Sequence, residues 1–481
     1  MNSLLIHNIK FGLSLIHPGR CTSARLTLMS LLLFCTASAA AAPQAEDLPL
    51  PVRVVLSKIN PLLIGKQYDR AIEKLLKFQA RGKSRFRPDR EDPKGYYHPE
   101  IYYTLGNCYL LKGKYRLAAH AFEKAVKGND AHTYAWLNLA KACYEQRRYL
   151  EAAHAFKKSY TTAEAKNPEH LYFSAVAYLM AAKYLRSIQI FKILLAAHPS
   201  AVKPKWREHL VYALLAVDQG LKALPHIRQL IHTFSGKKEI QWQEILLQQY
   251  IQLNMQKEAL SYAKGLARNT PTLAKWWKAL AHIQLNQSHT EAALAALTIY
   301  SFLTPLSLEE KKLLADLNLQ VGIPIKAVPA YENYLKEKPD KELLQHLIVA
   351  YRQLGEPESA IECLDRFDSV KNDPELMLIE GELLYALKKF DQAAVLYRRA
   401  ARKKGKHTGR AWLMAGYAAW QINDISASKK AFVKAADYEK EKKTATKALR
   451  QLASFFRNYA VGRQTRDKSS HVKNLQSRDR R

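Results

Sequence analysis

Apolar positions three and four residues apart run through nearly the whole chain, the spacing that lines one face of an α-helix. The pattern is itself periodic. An aromatic residue, an Ala, a second aromatic and a second Ala read Tyr115, Ala118, Phe122 and Ala125. They return as Tyr149, Ala152 and Phe156, and again as Phe390, Ala393, Tyr397 and Ala400. A second signature precedes each: Tyr102, Leu105, Gly106; Trp136, Leu139, Ala140; Trp412, Ala415, Gly416. These anchors set unit starts near residues 99, 133, 168, 204, 240, 274, 308, 341, 374 and 409, spaced 33 to 36 residues apart. A poorer unit precedes them, with Tyr68 and Ala71 in the anchor positions.

Each unit is predicted to be a pair of antiparallel helices, A and B. A small residue at the eighth position (Gly106, Ala140, Gly381, Gly416) lets the two backbones approach. An Ala at the twentieth does the same from helix B: Ala118, Ala152, Ala292 or Ala293, Ala327, Ala360 and Ala393. Pro199, Pro271, Pro305 and Pro339 close several B helices, because Pro lacks an N–H and clashes with the preceding turn. One helix pair cannot bury its own apolar face, so neighbours must stack. These residues resemble the tetratricopeptide repeat family over about residues 50 to 440. The resemblance implies an all-α, right-handed superhelical solenoid of about 10–11 helix-turn-helix repeats.

The expected domain map follows. Residues 1–42 read as a signal peptide, 50–78 as a first degenerate unit and 79–98 as a basic loop. Residues 99–440 form the solenoid, 441–460 a capping helix ending near Phe455 and Phe456, and 461–481 a basic, disordered tail. The loop and the tail are expected to be the first sites cut by trypsin. The leader reading rests on the apolar run Leu26 to Cys35, preceded by Arg20 and Arg25 and followed by the small-residue stretch around Ala37-Ser38-Ala39. It places the protein in the periplasm; the alternative is an uncleaved segment anchoring it to the inner membrane. Cys35 and Cys21 do not fit a lipidation signal, since Phe34 and Arg20 precede them.

Charge changes the picture. The 481 residues hold 75 Lys+Arg against 43 Asp+Glu, a formal net charge of +32. Such a surface prefers anionic partners: nucleic acid, anionic lipid, lipopolysaccharide or an acidic protein. With a leader in front, the charge points first to anionic envelope surfaces, met through the basic loop and tail, and makes nucleic acid an unsuited partner. Chemistry is sparse. Cys108, Cys143 and Cys363 lie in apolar helical patterns and read as buried thiols, with a Cys108–Cys143 disulfide as the lesser alternative. His120 and His154 share one position of successive B helices, but no third and fourth ligand is placed to make a metal site. Phosphate loops, nucleophile elbows and zinc-binding helices are missing, so no enzyme activity, metal or cofactor is expected.

The family resemblance implies that A helices line a concave groove, with the second, fifth, ninth and twelfth positions projecting into it. The candidate partner-binding residues are Tyr103, Asn107, Tyr134, Leu137, Asn138, Lys141 and Tyr172. Tyr supplies contact area at small entropic cost, and Asn can hydrogen-bond an extended peptide. The alternative is that several of these tyrosines pack within the solenoid. Asn107 and Asn138 have the spacing of a carboxylate-clamping Asn pair, but Tyr103 and Glu169 stand where such clamps carry cations. Trp276 and Trp277 cannot share one helix face; Trp277 is expected to anchor the core and Trp276 to be the exposed partner contact.

Three stretches, Asn167 to Met180, Trp242 to Met255 and the run beginning at Trp276, are similar to a subset of exported repeat proteins. That subset accompanies ExbB/ExbD proton channels and TonB-like transducers. The resemblance implies a periplasmic scaffold accessory to energised outer-membrane transport. Two other readings stay open. One is a scaffold for another envelope assembly or secretion process. The other is a cytoplasmic nucleic-acid-binding repeat protein, which explains the charge through phosphate contacts but requires the leader to be misread.

Overall fold

The computed structural model describes residues 48–83, 92, 94–366 and 372–454. The leader at 1–42, residues 84–91 and 93 of the loop at 79–98, the end of the capping helix with Phe455 and Phe456, and the tail at 461–481 lie outside the described residues. Among the described residues every regular element is helical. None of their helices is long and apolar enough to cross a membrane.

Two compact units divide at Ala259 and Leu260, inside one helix. The first carries α1 (Leu50–Ile64), α2 (Tyr68–Lys83), α3 (Pro99–Leu111), α4 (Tyr115–Gly128), α5 (Thr133–Glu145), α6 (Tyr149–Thr162), α7 (Pro168–Met180), α8 (Tyr184–Ala197), α9 (Pro204–Leu215), α10 (Gly220–Thr233) and α11 (Gly236–Gln252). The dividing helix is α12 (Gln256–Asn269). The second carries α13 (Ala274–Asn286), α14 (Thr290–Leu303), α15 (Leu308–Gln320), α16 (Pro324–Glu337), α17 (Lys341–Leu354), α18 (Pro357–Asp365), α19 (Pro374–Ala386), α20 (Phe390–Arg402), α21 (Thr408–Gln421) and α22 (Ile425–Ala436). A last helix, α23, is described from 439 to 454. Odd-numbered α1 to α21 are A helices, and the even-numbered ones are B helices.

The A-to-B turn is the same in every repeat. The fifteenth position has a left-handed backbone at Gly113, Arg147, Ala182, Asp218, Asn254, Ser288, Gly322, Gly355, Lys388 and Asn423, with φ between 54° and 81°. The next residue's N–H reaches back five positions, as Lys114 N to Tyr109 O (2.9 Å), Lys183 N to Tyr178 O (2.9 Å) and Lys389 N to Leu384 O (2.9 Å). This cap satisfies orphan carbonyls of helix A and reverses the chain within three residues, which makes the pair antiparallel.

Packing follows the anchors. Ala118, Ala152, Ala293, Ala327, Ala360 and Ala393 are fully buried. The ambiguity at 292 and 293 resolves to Ala293. At the eighth position the aromatic ring of helix B rests on bare backbone. A Cβ at Gly106 would lie 2.6 Å from Phe122, at Gly381 2.6 Å from Tyr397, and at Gly416 2.5 Å from Phe432. Within each unit successive hairpins share one core. Ala118, Phe122, Leu139, Ala152 and Phe156 belong to a cluster of the first unit, and Tyr331, Leu347, Ala360 and Leu376 to one of the second.

Two boundaries differ from expectation. α2 continues to Lys83, past the expected loop start at 79, because Phe78 and Gln79 are buried and Gly82 backs onto Tyr96. α11 begins at Gly236 rather than near 240, since Lys237 to Ile240 contain no helix breaker.

Candidate partner-binding face of the A helices

The third repeat position is the inward one. Ile101, Ala135, Trp206, Trp242, Trp276, Leu343, Leu376 and Ala411 all occupy it, and all are buried. The sixth position reaches back to the preceding A helix. Asn138 Nδ2 donates to Asn107 Oδ1 at 2.8 Å, the Tyr172 hydroxyl is hydrogen-bonded to His209 Nδ1 at 3.1 Å, and His346 Nδ1 lies 3.1 Å from Asp316 Oδ1. These two positions decide which candidate residues remain available to a partner.

On α3 and α5 the candidates converge. Lys141 Nζ donates to Asn138 Oδ1 at 3.5 Å and Asn138 donates to Asn107, with Tyr103 one turn before Asn107 on α3. All four side chains are half-buried, and Leu137 beside them packs on the core while remaining partly accessible. Tyr134 is 47% exposed. Burial pushes the Tyr103 hydroxyl above its ordinary range, with Asn107 opposing, so the phenol stays neutral. His132 fixes the geometry. Its Nδ1 caps α5 by accepting from Ala135 N (3.2 Å), its ring lies 4.5 Å from the Tyr103 ring, and its Nε2 is 3.0 Å from Glu100 Oε1.

On α7 and α9 the arrangement closes instead. Tyr172, expected to project into the groove, is buried. Its ring stacks on Trp206 at 4.7 Å and 14°. His209 is 2% exposed, and burial pushes its imidazole down to about 4. Tyr172 is therefore a core residue, because the next repeat puts a Trp where α5 has only Ala135.

Trp276 is a second correction. It is 2% exposed, whereas Trp277 is half-buried. Trp277 Nε1 donates to Pro271 O at 2.8 Å, as Trp136 Nε1 does to Asp130 O at 2.7 Å. The fourth-position Trp is thus a staple to the preceding turn, and the third-position Trp fills the core. Trp276 is no exposed contact.

Sequence reasoning missed a pocket of about 330 Å³ lined by Glu123, Trp136, Leu139, Cys143, Glu151 and His154 among others. Donor atoms of Glu123, Cys143 and Glu151 lie within 4.8 Å of one another, a metal-like spacing. Arg148 already bridges both carboxylates, at 2.9 Å from Glu123 and closely with Glu151. Burial pushes the Cys143 thiol up to about 12, which disfavours the thiolate a metal requires. Cys108 and Cys363 are likewise free, buried and raised to about 11. His120 and His154 are exposed, and His154 sits edge-on to Trp136 at 6.0 Å.

Residues 103–163 and 409–450 match models of the tetratricopeptide repeat. The first match contains both Asn107 and Asn138. No curated protein matches the chain. The chain is similar to the crystal structure of yeast Tom70 (14% identity, 84% of this chain and 96% of that one, TM-score 0.27). It is similar to a tetratricopeptide repeat protein from Parabacteroides merdae (13% identity, 62% and 98%, TM-score 0.29). It is also similar to a structure of Naa15/Naa10 bound to HypK-THB (12% identity, 83% and 78%, TM-score 0.37).

Proposed function

We propose that this chain is a non-catalytic scaffold of the cell envelope that seats extended segments of partner proteins on the A-helix face of α3 and α5. The observation that carries the reading is the ladder Asn107–Asn138–Lys141, with Tyr103 one turn away on α3. Its amides offer donors and acceptors at a peptide's own hydrogen-bonding groups, and Lys141 suits an acidic side chain. Tyr134 adds exposed aromatic area beside them. The ladder is held by the His132 cap rather than by a catalytic neighbour.

The leader sequence supports a periplasmic setting, and the three similar stretches support TonB/ExbB/ExbD-type components as partners. The test is co-purification from crosslinked envelopes after fractionation. The reading expects an inner-membrane transducer or outer-membrane receptor to be enriched over a charge-matched control. Recovery in the cytoplasm, or equal capture by the control, contradicts it.

A further inference from the structure

Lysine-on-aromatic stacking recurs on the outer side of the repeats. Lys124 lies over Tyr102 (5.3 Å), Lys158 over Trp136 (5.6 Å) and Lys434 over Trp412 (4.2 Å). The aromatic is always at the fourth repeat position and the lysine at the twenty-sixth. In the α5–α6 repeat the ammonium is also neutralised. Asp130, six residues before Trp136, pairs with Lys158 at 3.0 Å. Six residues before Trp412 stands Lys406. The last repeat keeps the stacked lysine and exchanges its acid for a second cation.

The surroundings reinforce the exchange. Between residues 392 and 423 the chain has seven Lys/Arg and no Asp/Glu. Arg399, Arg402, Lys403, Lys404 and Lys406 are all exposed. Arg399 and Lys403 hydrogen-bond only the neutral Asn372, at 3.3 and 2.9 Å. Among the described residues no carboxylate pairs with any of the five, whereas Arg410 pairs with Glu382. Exposed aliphatic groups accompany them. Val395 (56% exposed) lies one turn before Arg399 and two before Arg402 on the same stripe of α20. Val433 (49%) adjoins Lys434, with Lys429 and Lys430 one turn earlier.

We propose that this end of the second unit, from the C-terminal turn of α20 through the stacked Lys434, docks on an anionic phospholipid surface. Lipid fits better than nucleic acid for two reasons. Few rings are offered for bases to stack on: Tyr397 and Phe432 are fully buried and Trp412 is covered by Lys434, while Tyr438, 37% exposed, stands one turn past Lys434. The cations are interleaved with exposed aliphatic side chains, which suit a headgroup–acyl boundary and contribute nothing to a phosphodiester. The surface shares no residue with the α3–α5 face, so either assignment can fail alone.

The experiment is flotation of the purified full chain with vesicles of zwitterionic lipid alone or with about a third anionic phospholipid, the range of anionic membranes. The intact protein is expected to bind only the anionic vesicles. Changing Arg399, Arg402, Lys403, Lys404 and Lys406 together to Gln should weaken binding by roughly a thousandfold or more, at about 1 kcal/mol per basic residue. A control with Lys74, Lys157, Lys192, Lys222 and Lys264 changed to Gln, also exposed, should lose far less. The uncharged changes Val395→Asn with Val433→Asn should reduce vesicle binding and leave retention on heparin unchanged. Circular dichroism checks that all variants fold. Equal losses in the two Gln sets, no affinity for anionic vesicles, or tighter binding of a duplex oligonucleotide through the same five residues would overturn the proposal.

Discussion

The α3–α5 and α7–α9 pairs put a tyrosine at the same repeat position, and only one of them is left for a partner. Tyr103 stays half-buried beside Asn107, while Tyr172 is stacked on Trp206 and bonded to His209. The difference lies in the following repeat. Its third position is Ala135 in one case and Trp206 in the other. Its sixth position is Asn138 in one case and His209 in the other. A repeat's binding residues are therefore defined by the next repeat's bulk as much as by their own identity.

The largest effect expected from breaking this contrast is at Trp206. Trp206→Ala should cost about 3–5 kcal/mol, as large-to-small changes of buried aromatics do. It should also expose Tyr172 to solvent. Denaturant titration and tyrosine iodination would report the two effects. Trp276→Ala should behave similarly, and Trp277→Ala should cost clearly less. A loss below about 1 kcal/mol at Trp206 would remove the reason given for the closed pair.

Acid should loosen the closed pair next. The folded site holds His209 down to about 4, whereas an unfolded imidazole titrates near 6.5. Between these values the unfolded chain takes up a proton that the folded site refuses. Stability is then complete above about pH 6.5 and falls as pH drops towards 4, by about 3 kcal/mol at most. His209→Asn should make that slope shallower, and burial of His170, His226 and His282, which lowers them too, carries the rest. An unchanged slope would contradict the assignment.

The open pair should respond weakly in stability and strongly in binding. Asn138→Ala removes two half-buried hydrogen bonds and should cost about 1–2 kcal/mol. Partner capture should fall much further than that. The smallest effect concerns the turn that both pairs share. Ala182 holds φ 55° in the α7–α8 turn, and Ala182→Gly should stabilise by about 0.5–1 kcal/mol in thermal unfolding.

The helix pairs were legible because their anchors are intrinsic. Gly106 must be small to seat Phe122, and Ala118 must be small to let the helices meet. The shared turn was not legible. Only Gly113, Gly322 and Gly355 announce it as glycine, while Arg147, Ala182 and Lys388 adopt the same backbone silently. The spacing of Asn107 and Asn138 was readable in the chain; that the two side chains hydrogen-bond each other was not. The fates of Tyr172 and Trp276 were not readable. Adjacent helix positions differ by only about 100°, and the period alone does not say which one the previous hairpin covers. His132 escaped notice because a histidine cap lacks the usual Ser, Thr, Asp or Asn signature.

The central claim is that the α3–α5 face seats a partner. A photo-crosslinking amino acid at Tyr134 in living cells tests it most directly, with the same probe at Lys157 on helix B as the comparison. The account predicts a discrete adduct at Tyr134 that disappears when Asn138 and Lys141 are both changed to Ala. An adduct that survives those changes, or capture only from position 157, would contradict it.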